Sequence, residues 1–125
     1  MKQLFSTALA CVLASFTGLA QCEADHVVEA SSFEYSPNVL TIEQGESVAF
    51  VNLGGTHDVN GDVDSQTSMS FGNPESFYLD PVSGNPDGEC IGTYTFNVPG
   101  TYNYDCSIGN HAAQGMVASI VVNPA

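Results

Sequence analysis

The segment from Cys106 to Met116 restricts the fold more than any other part of the chain, because it lies between two stretches with the pattern of β-strands. Residues 102, 104 and 106 share one face of the preceding stretch, and a second strand pattern covers 116–122. The segment also contains His111, so a thiolate, an imidazole and a thioether lie on one loop. The chain must therefore pair these two strands and close that loop between them.

Short strand patterns separated by turn residues continue along most of the chain after residue 25. Residues 47–52 are apolar on both faces and predict a central strand, and the preceding turn places Gly45 where a positive φ is expected. Residues 60–90, rich in Gly, Asn, Ser, Asp and Pro, predict a long excursion with one short strand or helical turn near 76–79. Helix signals are nearly absent. We predict an all-β fold, a Greek-key β-sandwich of about seven to eight strands.

The N-terminus has the features of an export signal. Lys2 is followed by a largely apolar run, and small residues precede a cleavage point after Ala20. We therefore predict a signal peptide over 1–20, a single domain over 21–125, no membrane span in the mature chain, and a periplasmic or extracellular location. An uncleaved anchor is the first alternative. The second is a lipid anchor at Cys22, although Gln21 stands where a lipoprotein signal usually has a small residue.

The charge of the chain is strongly one-sided. Lys2 is the only Lys or Arg, against 14 Asp and Glu and a net charge of −13. Nucleic acid is excluded as a partner because nothing would neutralise its phosphates, and anionic membrane surfaces are disfavoured for the same reason. Two explanations remain open: solubility in a salty medium, and steering toward a partner protein with a basic surface.

The cysteines left after signal removal are odd in number: Cys22, Cys90 and Cys106. In an exported chain, a cysteine left over after pairing requires an explanation. Assigning Cys106 to a metal leaves Cys22 and Cys90 able to form a disulfide in an oxidising compartment. Lipidation of Cys22 would forbid that bond.

The residues of the loop, together with one upstream histidine, have the chemistry of a metal site. Soft sulfur ligands with imidazole suit copper, and a plane of Cys and two His with a distant Met is the electron-transfer copper arrangement. Cys106, His111 and Met116 supply three of these groups, and His57, after the Gly54-Gly55 bend, supplies the fourth. Zinc is the main competitor, but structural zinc sites usually add a further Cys or His, often in a C-x₂₋₄-C pair that is absent here. A catalytic Cys-His pair would not need the methionine.

Three stretches of the chain carry a resemblance to a known family. Residues 33–42, with Gly45 and 48–52, resemble the N-terminal half of the cupredoxins, the small blue copper proteins. Residues 100–106 resemble the family's approach to its ligand cysteine, and the Cys-x₄-His-x₄-Met spacing is also similar to that of family members.

The resemblance implies a cupredoxin fold and a single copper ion cycling between Cu(I) and Cu(II). It implies that the ligands are His57, Cys106, His111 and Met116. It also implies a monomeric one-electron carrier that docks redox partner proteins through the exposed edge of the second histidine. The residues expected around that edge are Gly54, Ile108, Ala112 and Ala113.

Two departures from the family pattern bear on the site. Asp58 stands where the family commonly has Asn after the first ligand histidine. We expect its carboxylate to accept backbone N–H bonds and to lower the copper potential by adding negative charge. Met69 lies in the long excursion, and we expect it to serve in packing.

Other functions are also open at the level of sequence. The same ligands would serve copper binding and trafficking, and a metal-free recognition sandwich would use the long excursion as its binding surface. We do not expect an enzyme, because a copper oxidase or nitrite reductase needs further copper sites. His26 is the only histidine left over to build one.

Overall fold

The computed structural model describes residues 22–125, so the predicted signal peptide over 1–20 lies outside the described residues. Within this range the chain forms nine strands, and a 3₁₀ helix covers Ala112–Gln114. The strands are β1 (His26–Ser31), β2 (Glu34–Ser36), β3 (Val39–Glu43), β4 (Ser47–Asn52), β5 (Thr56–Gly61), β6 (Phe77–Ser83), β7 (Glu89–Thr95), β8 (Gly100–Asp105) and β9 (Val117–Asn123). No helix over residues 22–125 is long and apolar enough to cross a membrane.

The strands form two mixed sheets. The four-stranded sheet has the order β2-β1-β4-β7, and the five-stranded sheet has the order β3-β9-β8-β5-β6. The pairs β1/β4 and β3/β9 are parallel, and the other ladders are antiparallel. The predicted all-β sandwich is confirmed, and the central position predicted for residues 47–52 is occupied by β4.

Apolar side chains from both sheets fill the space between them. Phe50, Phe77 and Phe96 are at most 4% exposed and lie in the same cluster as Tyr102 and Tyr104. Phe77 packs edge-on against Phe96 and stacks on the ring of Tyr94. These aromatic contacts between elements are worth about 0.5–1.5 kcal/mol each beyond area burial.

The structure has more strands than the seven to eight predicted. Neither β2 nor β5 was predicted; of β2, only its last residue, Ser36, was assigned, to a turn over 36–38. β5 has the sequence Thr-His-Asp-Val-Asn-Gly, which lacks apolar alternation, yet five of its six residues are buried. Its strand conformation comes from pairing with β6 and β8 and from hydrogen bonds made by its polar side chains.

The long excursion predicted over 60–90 is shorter in the structure. β5 extends to Gly61, β6 covers Phe77–Ser83, and β7 begins at Glu89, so the irregular parts are 62–76 and 84–88. Gly61 is required where β5 enters this loop, because a Cβ there would overlap the ring of Phe77 on the paired strand β6.

A disulfide joins Cys22 to Cys90, 68 positions later in the chain. Both residues pack with Ala49 of β4 in a small cluster on the side of the sheet away from the main core. The pairing that the odd cysteine count left open is therefore made in the structure, and Cys106 is the one free cysteine of residues 22–125.

Candidate metal centre

Cys106 directly follows β8 and lies at one end of the sandwich. It is fully buried, like Tyr102 and Tyr104 on the same face of the strand, as the alternation predicted. Its backbone N–H donates to the carbonyl of Met116 at 3.2 Å. The two ends of the ligand loop are therefore held together beside the sulfur.

His57 reaches the same end from β5. It is the second residue of that strand and only 1% exposed, whereas the sequence placed it in an irregular stretch after a bend. Gly55 forms that bend with φ +80°, and a Cβ there would lie 3.1 Å from Nε2 of the imidazole. The bend therefore needs glycine for its backbone conformation.

His111 and Met116 lie on the return path from Cys106 to β9. His111 is the N-cap of the 3₁₀ helix, and its carbonyl accepts the N–H of Met116 at 3.1 Å. Gly115 reverses the chain with φ +107°, and the fully buried Met116 follows it. The four side chains predicted as ligands thus lie at one end of the sandwich.

The nitrogen and sulfur atoms of three of these residues converge. Nδ1 of His111 lies 3.4 Å from the Cys106 sulfur and Nδ1 of His57 lies 3.7 Å from it. The ligand atoms of all three residues lie within 4.8 Å of one another. Metal–sulfur bonds of about 2.3 Å and metal–nitrogen bonds of about 2.0–2.1 Å place two ligands of one ion about 3.6–3.8 Å apart. The donor set and its spacing therefore fit a single soft ion such as copper.

The surroundings also set the protonation of two of these groups. Burial lowers the pKa of His57, and the neighbouring His111 lowers it further. The neutral imidazole that a metal ligand requires is therefore the favoured form. Burial raises the pKa of the Cys106 thiol, so metal binding must displace its proton.

Asp58 braces the ligand loop from β5. It is fully buried, and its Oδ1 accepts the backbone N–H of Ser107 at 2.8 Å. Its Oδ2 accepts the Ser107 hydroxyl and, at 2.8 Å, the Tyr78 hydroxyl. The expectation that Asp58 would accept backbone N–H bonds is confirmed. It links the strand of His57 to the residue after Cys106.

Asp105 is a second buried carboxylate beside the site, and sequence reasoning missed it. It is fully buried, accepts Asn60 Nδ2 at 2.8 Å through Oδ1, and accepts the Ser65 N–H at 2.9 Å through Oδ2. The Ser65 hydroxyl donates to Oδ1 at 2.9 Å. The sequence offered one signal, a charged residue directly before Cys106, between the ligand and the aromatic residue Tyr104 of the inner face.

The surface beside His111 differs in part from the expectation. The Phe33 ring packs edge-on against His111 with centroids 5.0 Å apart, and Phe33 has the left-handed φ of +61°. Such a conformation is uncommon for a bulky residue. Ala112, expected at the surface, is only 5% exposed because it begins the 3₁₀ helix beneath the loop.

Met69 does not serve in packing. Its side chain is 69% exposed, so the packing role expected for it is wrong. The loop is held instead by backbone hydrogen bonds, including Asp64 N–H to the Met69 carbonyl at 2.8 Å.

The fold and the converging sulfur and imidazole atoms define the class of a small copper-binding β-sandwich. A family model described as copper binding proteins, plastocyanin/azurin family, matches residues 21–123. The chain belongs to this family, and its cofactor is copper, as predicted. It is 36% identical over 93 residues to the chloroplastic plastocyanin of Oryza sativa subsp. indica, an alignment that covers 71% of this chain and 54% of that protein. The chain thus spans about half the length of this curated relative.

Solved structures support the fold. Amicyanin from Paracoccus versutus (Thiobacillus versutus) superposes with a TM-score of 0.56 at 24% identity, over 85% of this chain and 89% of amicyanin. Auracyanin B superposes with a TM-score of 0.53 at 18% identity, over 82% of this chain and 91% of auracyanin. At these identities the likeness concerns the sandwich alone.

Proposed function

We propose that the protein is an exported one-electron carrier that holds a single copper ion between His57, Cys106, His111 and Met116. The observation that carries this proposal is the approach of both histidine Nδ1 atoms to one buried cysteine sulfur. The cluster is also the only group of at least three His, Cys, Asp or Glu side chains with metal-ligand spacing within residues 22–125. A single-site carrier needs no second cluster.

When bound, copper supplies a one-electron couple at this position. The chain's own residues hold the site rigid and dry. Cys106 and His57 are at most 1% exposed, which excludes water from the sulfur and from the first imidazole. The hydrogen bonds of Met116 to Cys106 and His111 fix the loop, so the ligands need little rearrangement when the charge of the site changes.

His111 provides the route to the surface. Its ring is partly exposed, whereas His57 and Met116 are buried. Its Nδ1 faces the Cys106 sulfur, so the opposite edge of the ring points away from the site. A partner protein that contacts this edge would be separated from the site by one imidazole ring.

A spectroscopic titration tests the proposal. We expect Cu(II) added to the metal-free protein to bind with one-to-one stoichiometry and to produce an intense visible band from the thiolate. The band should be reversibly bleached by a one-electron reductant. Cys106→Ser should abolish the band and keep the fold, which circular dichroism would check.

Matched controls separate ligands from bystanders of the same residue type. His57→Asn should weaken copper binding, whereas His26→Asn should not, because His26 pairs with Glu46 instead. Met116→Leu should change the spectrum, whereas Met69→Leu at its exposed position should not. A colourless copper complex, or equal effects of each pair, would contradict the proposal. Copper that is rapidly lost to a chelator without reversible redox chemistry would indicate trafficking instead.

We propose further that residues 1–20 direct export and are removed. The Cys22–Cys90 disulfide supports this proposal, because such bonds persist in oxidising compartments. A lipid on the Cys22 sulfur would be incompatible with that bond. Intact mass of the exported protein should correspond to a chain that begins at Gln21 and lacks two hydrogens. A lipid adduct, or retention of the first twenty residues, would contradict it.

The charge of the chain supports a basic docking surface on its redox partner. Residues 22–125 contain no Lys or Arg. Association with such a partner should slow steeply as salt is added. Stopped-flow electron transfer with a basic and an acidic redox protein would measure this, and equal rates at low ionic strength would contradict the proposal.

A further inference from the structure

We infer that Asp58 and Asp105 act as fixed negative charges that make the metal centre favour a divalent over a monovalent ion and so hold its midpoint potential low. This inference rests on the proposed function of the site. It extends the sequence-based expectation for Asp58 to a pair of carboxylates, one beside each of two proposed ligands.

The first carboxylate bridges two strands beside the site. Asp58 follows His57, and its Oδ1 binds the N–H of Ser107, the residue after Cys106. Every contact of its two oxygens is with a hydrogen-bond donor. Of these partners the Ser107 N–H can only donate, so Oδ1 must stay an acceptor, whereas the Ser107 and Tyr78 hydroxyls could also accept.

The second carboxylate lies on the neighbouring strand of the same sheet. Asp105 precedes Cys106 and pairs with Asn60 across β5 and β8. Its oxygens likewise meet only donors, from Asn60 and from the N–H and hydroxyl of Ser65. The two carboxylates therefore share burial, saturation by donors, and adjacency to a proposed ligand.

Neither carboxylate has a cationic side chain as a partner. Residues 22–125 contain no Lys or Arg, and the one ion pair in this range joins His26 to Glu46. Burying a charge is costly unless an opposite charge compensates it. The nearest place for such a charge is the metal centre that Asp58 and Asp105 adjoin in sequence.

The sign of the effect follows from the charge of the occupied site. A thiolate with a monovalent ion is neutral, whereas a thiolate with a divalent ion keeps one positive charge. The Cα atoms of Asp105 and Cys106 are about 3.8 Å apart, and Asp58 accepts the N–H of Ser107, the residue bonded to Cys106. Both carboxylates therefore lie within about 10 Å of the Cys106 sulfur. At this distance in a partly shielded interior, a unit charge alters the relative affinity for the two ions by about tenfold.

The test uses Asp58→Asn and Asp105→Asn, with Asp80→Asn as the control. Asp80 is exposed on β6, two residues after Tyr78, so its substitution makes the same change in net charge in solvent. Affinities for Zn(II) and Ag(I) would be measured by competition with chelators of known affinity, and the midpoint potential by redox titration of the copper form. Chemical unfolding of the metal-free proteins would report whether each variant is folded.

For each buried variant we expect the ratio of Zn(II) to Ag(I) affinity to fall about tenfold and the midpoint potential to rise. A tenfold change corresponds to 59 mV for a one-electron couple. Asp80→Asn should change the ratio less than about twofold, because solvent screens its charge.

The outcomes separate this inference from the proposed function. If the unsubstituted protein binds none of the metals, the proposed function fails. If it binds them and the folded Asp58→Asn variant keeps both ratio and potential, the inference is wrong. Asp58→Asn is the decisive variant, because it can keep its hydrogen bonds. The new carbonyl oxygen still accepts the Ser107 N–H, and the Ser107 hydroxyl can rotate to accept from the new amide. Asp105→Asn must leave two donors facing each other, so its folding is checked first.

Discussion

Strands β4 and β5 have six residues each, are joined by residues 53–55, and are buried to a similar degree, but they have almost no chemistry in common. β4 buries Val48, Ala49 and Phe50, whereas β5 buries His57, Asp58 and Asn60 around a single valine. Removing apolar surface from water stabilises the first strand. Burial of polar groups opposes folding of the second unless each group is hydrogen-bonded.

The comparison shows where stability and function lie in this small domain. The buried apolar side chains of β4 pack in the main core and in the disulfide cluster, and none of them is a predicted ligand. Those of β5 supply a predicted ligand and the brace of the ligand loop, and Nε2 of His57 is buried without a hydrogen-bond partner. Substitutions in β4 should therefore change the free energy of unfolding most, and substitutions in β5 should change metal binding most.

The largest expected effect is that of Phe50→Ala in β4. The ring is fully buried and packs edge-on against Tyr104 with centroids 5.6 Å apart. We expect the free energy of unfolding of the metal-free protein to fall by about 3–5 kcal/mol, measured with urea. Phe33→Ala, at a 39% exposed ring, is the matched control and should cost less. Equal costs would show that β4 does not dominate the core.

Removal of the disulfide by Cys22→Ser with Cys90→Ser tests the other face of β4. The bond closes a loop with a separation of 68 positions and covers Ala49. We expect a loss of about 2–4 kcal/mol, because the unlinked unfolded chain gains conformational freedom. Cys106→Ser in the metal-free state removes a sulfur without removing a crosslink and should cost less. A double variant as stable as the original protein would mean that the disulfide contributes nothing to the free energy of unfolding.

Asn52→Asp tests the junction between the two strands. Asn52 is fully buried at the end of β4, and its Nδ2 donates to the carbonyls of Gly55 and Val82 at 3.0 and 2.9 Å. A carboxylate would turn an acceptor toward both carbonyls, so we expect a loss of about 2–3 kcal/mol in the free energy of unfolding. Asn97→Asp, at an exposed turn position, should change it by less than about 0.5 kcal/mol. A similar loss of stability in both variants would show that the hydrogen bonds of Asn52 do not stabilise the junction.

The same contrast explains which parts of the molecule could be predicted from the sequence. β4 was predicted because its apolar run is a local property, and the grouping of Cys106, His111 and Met116 was predicted because they are close in sequence. β5 was missed because its polar residues are buried only through partners 20 to 49 positions away, such as Tyr78 and Ser107. Local rules commonly fail at functional sites.

Asp105 shows the same limit on prediction. Its donors, Asn60 and Ser65, lie 45 and 40 positions earlier in a stretch that reads as an irregular loop. No local pattern joins these residues. Only the pairing of β5 with β8 brings Asn60 opposite Asp105.

His57→Leu should have a small effect on the stability of the metal-free protein. Its Nε2 is buried without a partner, so an apolar side chain removes an unsatisfied group while filling similar space. We expect the free energy of unfolding to change by less than about 1 kcal/mol while copper affinity falls steeply. Urea unfolding and a competition titration would measure the two quantities. A large loss of stability with little loss of affinity would reverse the roles assigned to the two strands.

The smallest expected effect is that of Glu46 in the turn that leads into β4. Its carboxylate is exposed to solvent, whereas that of Asp58 in β5 is buried. The Glu43 N–H, and secondly His26, lower the pKa of Glu46 below its usual value of 4.5. A lowered pKa in the folded state contributes stability above about pH 4.5, and that contribution is lost as the pH falls through the folded value. Glu46→Gln should therefore lower the melting temperature slightly at neutral pH, and the difference from the original protein should narrow in acid.

Glu34→Gln, the same charge change at an exposed position of β2, should show less of this pH dependence. A difference that widens in acid would mean that the carboxylate opposes the turn.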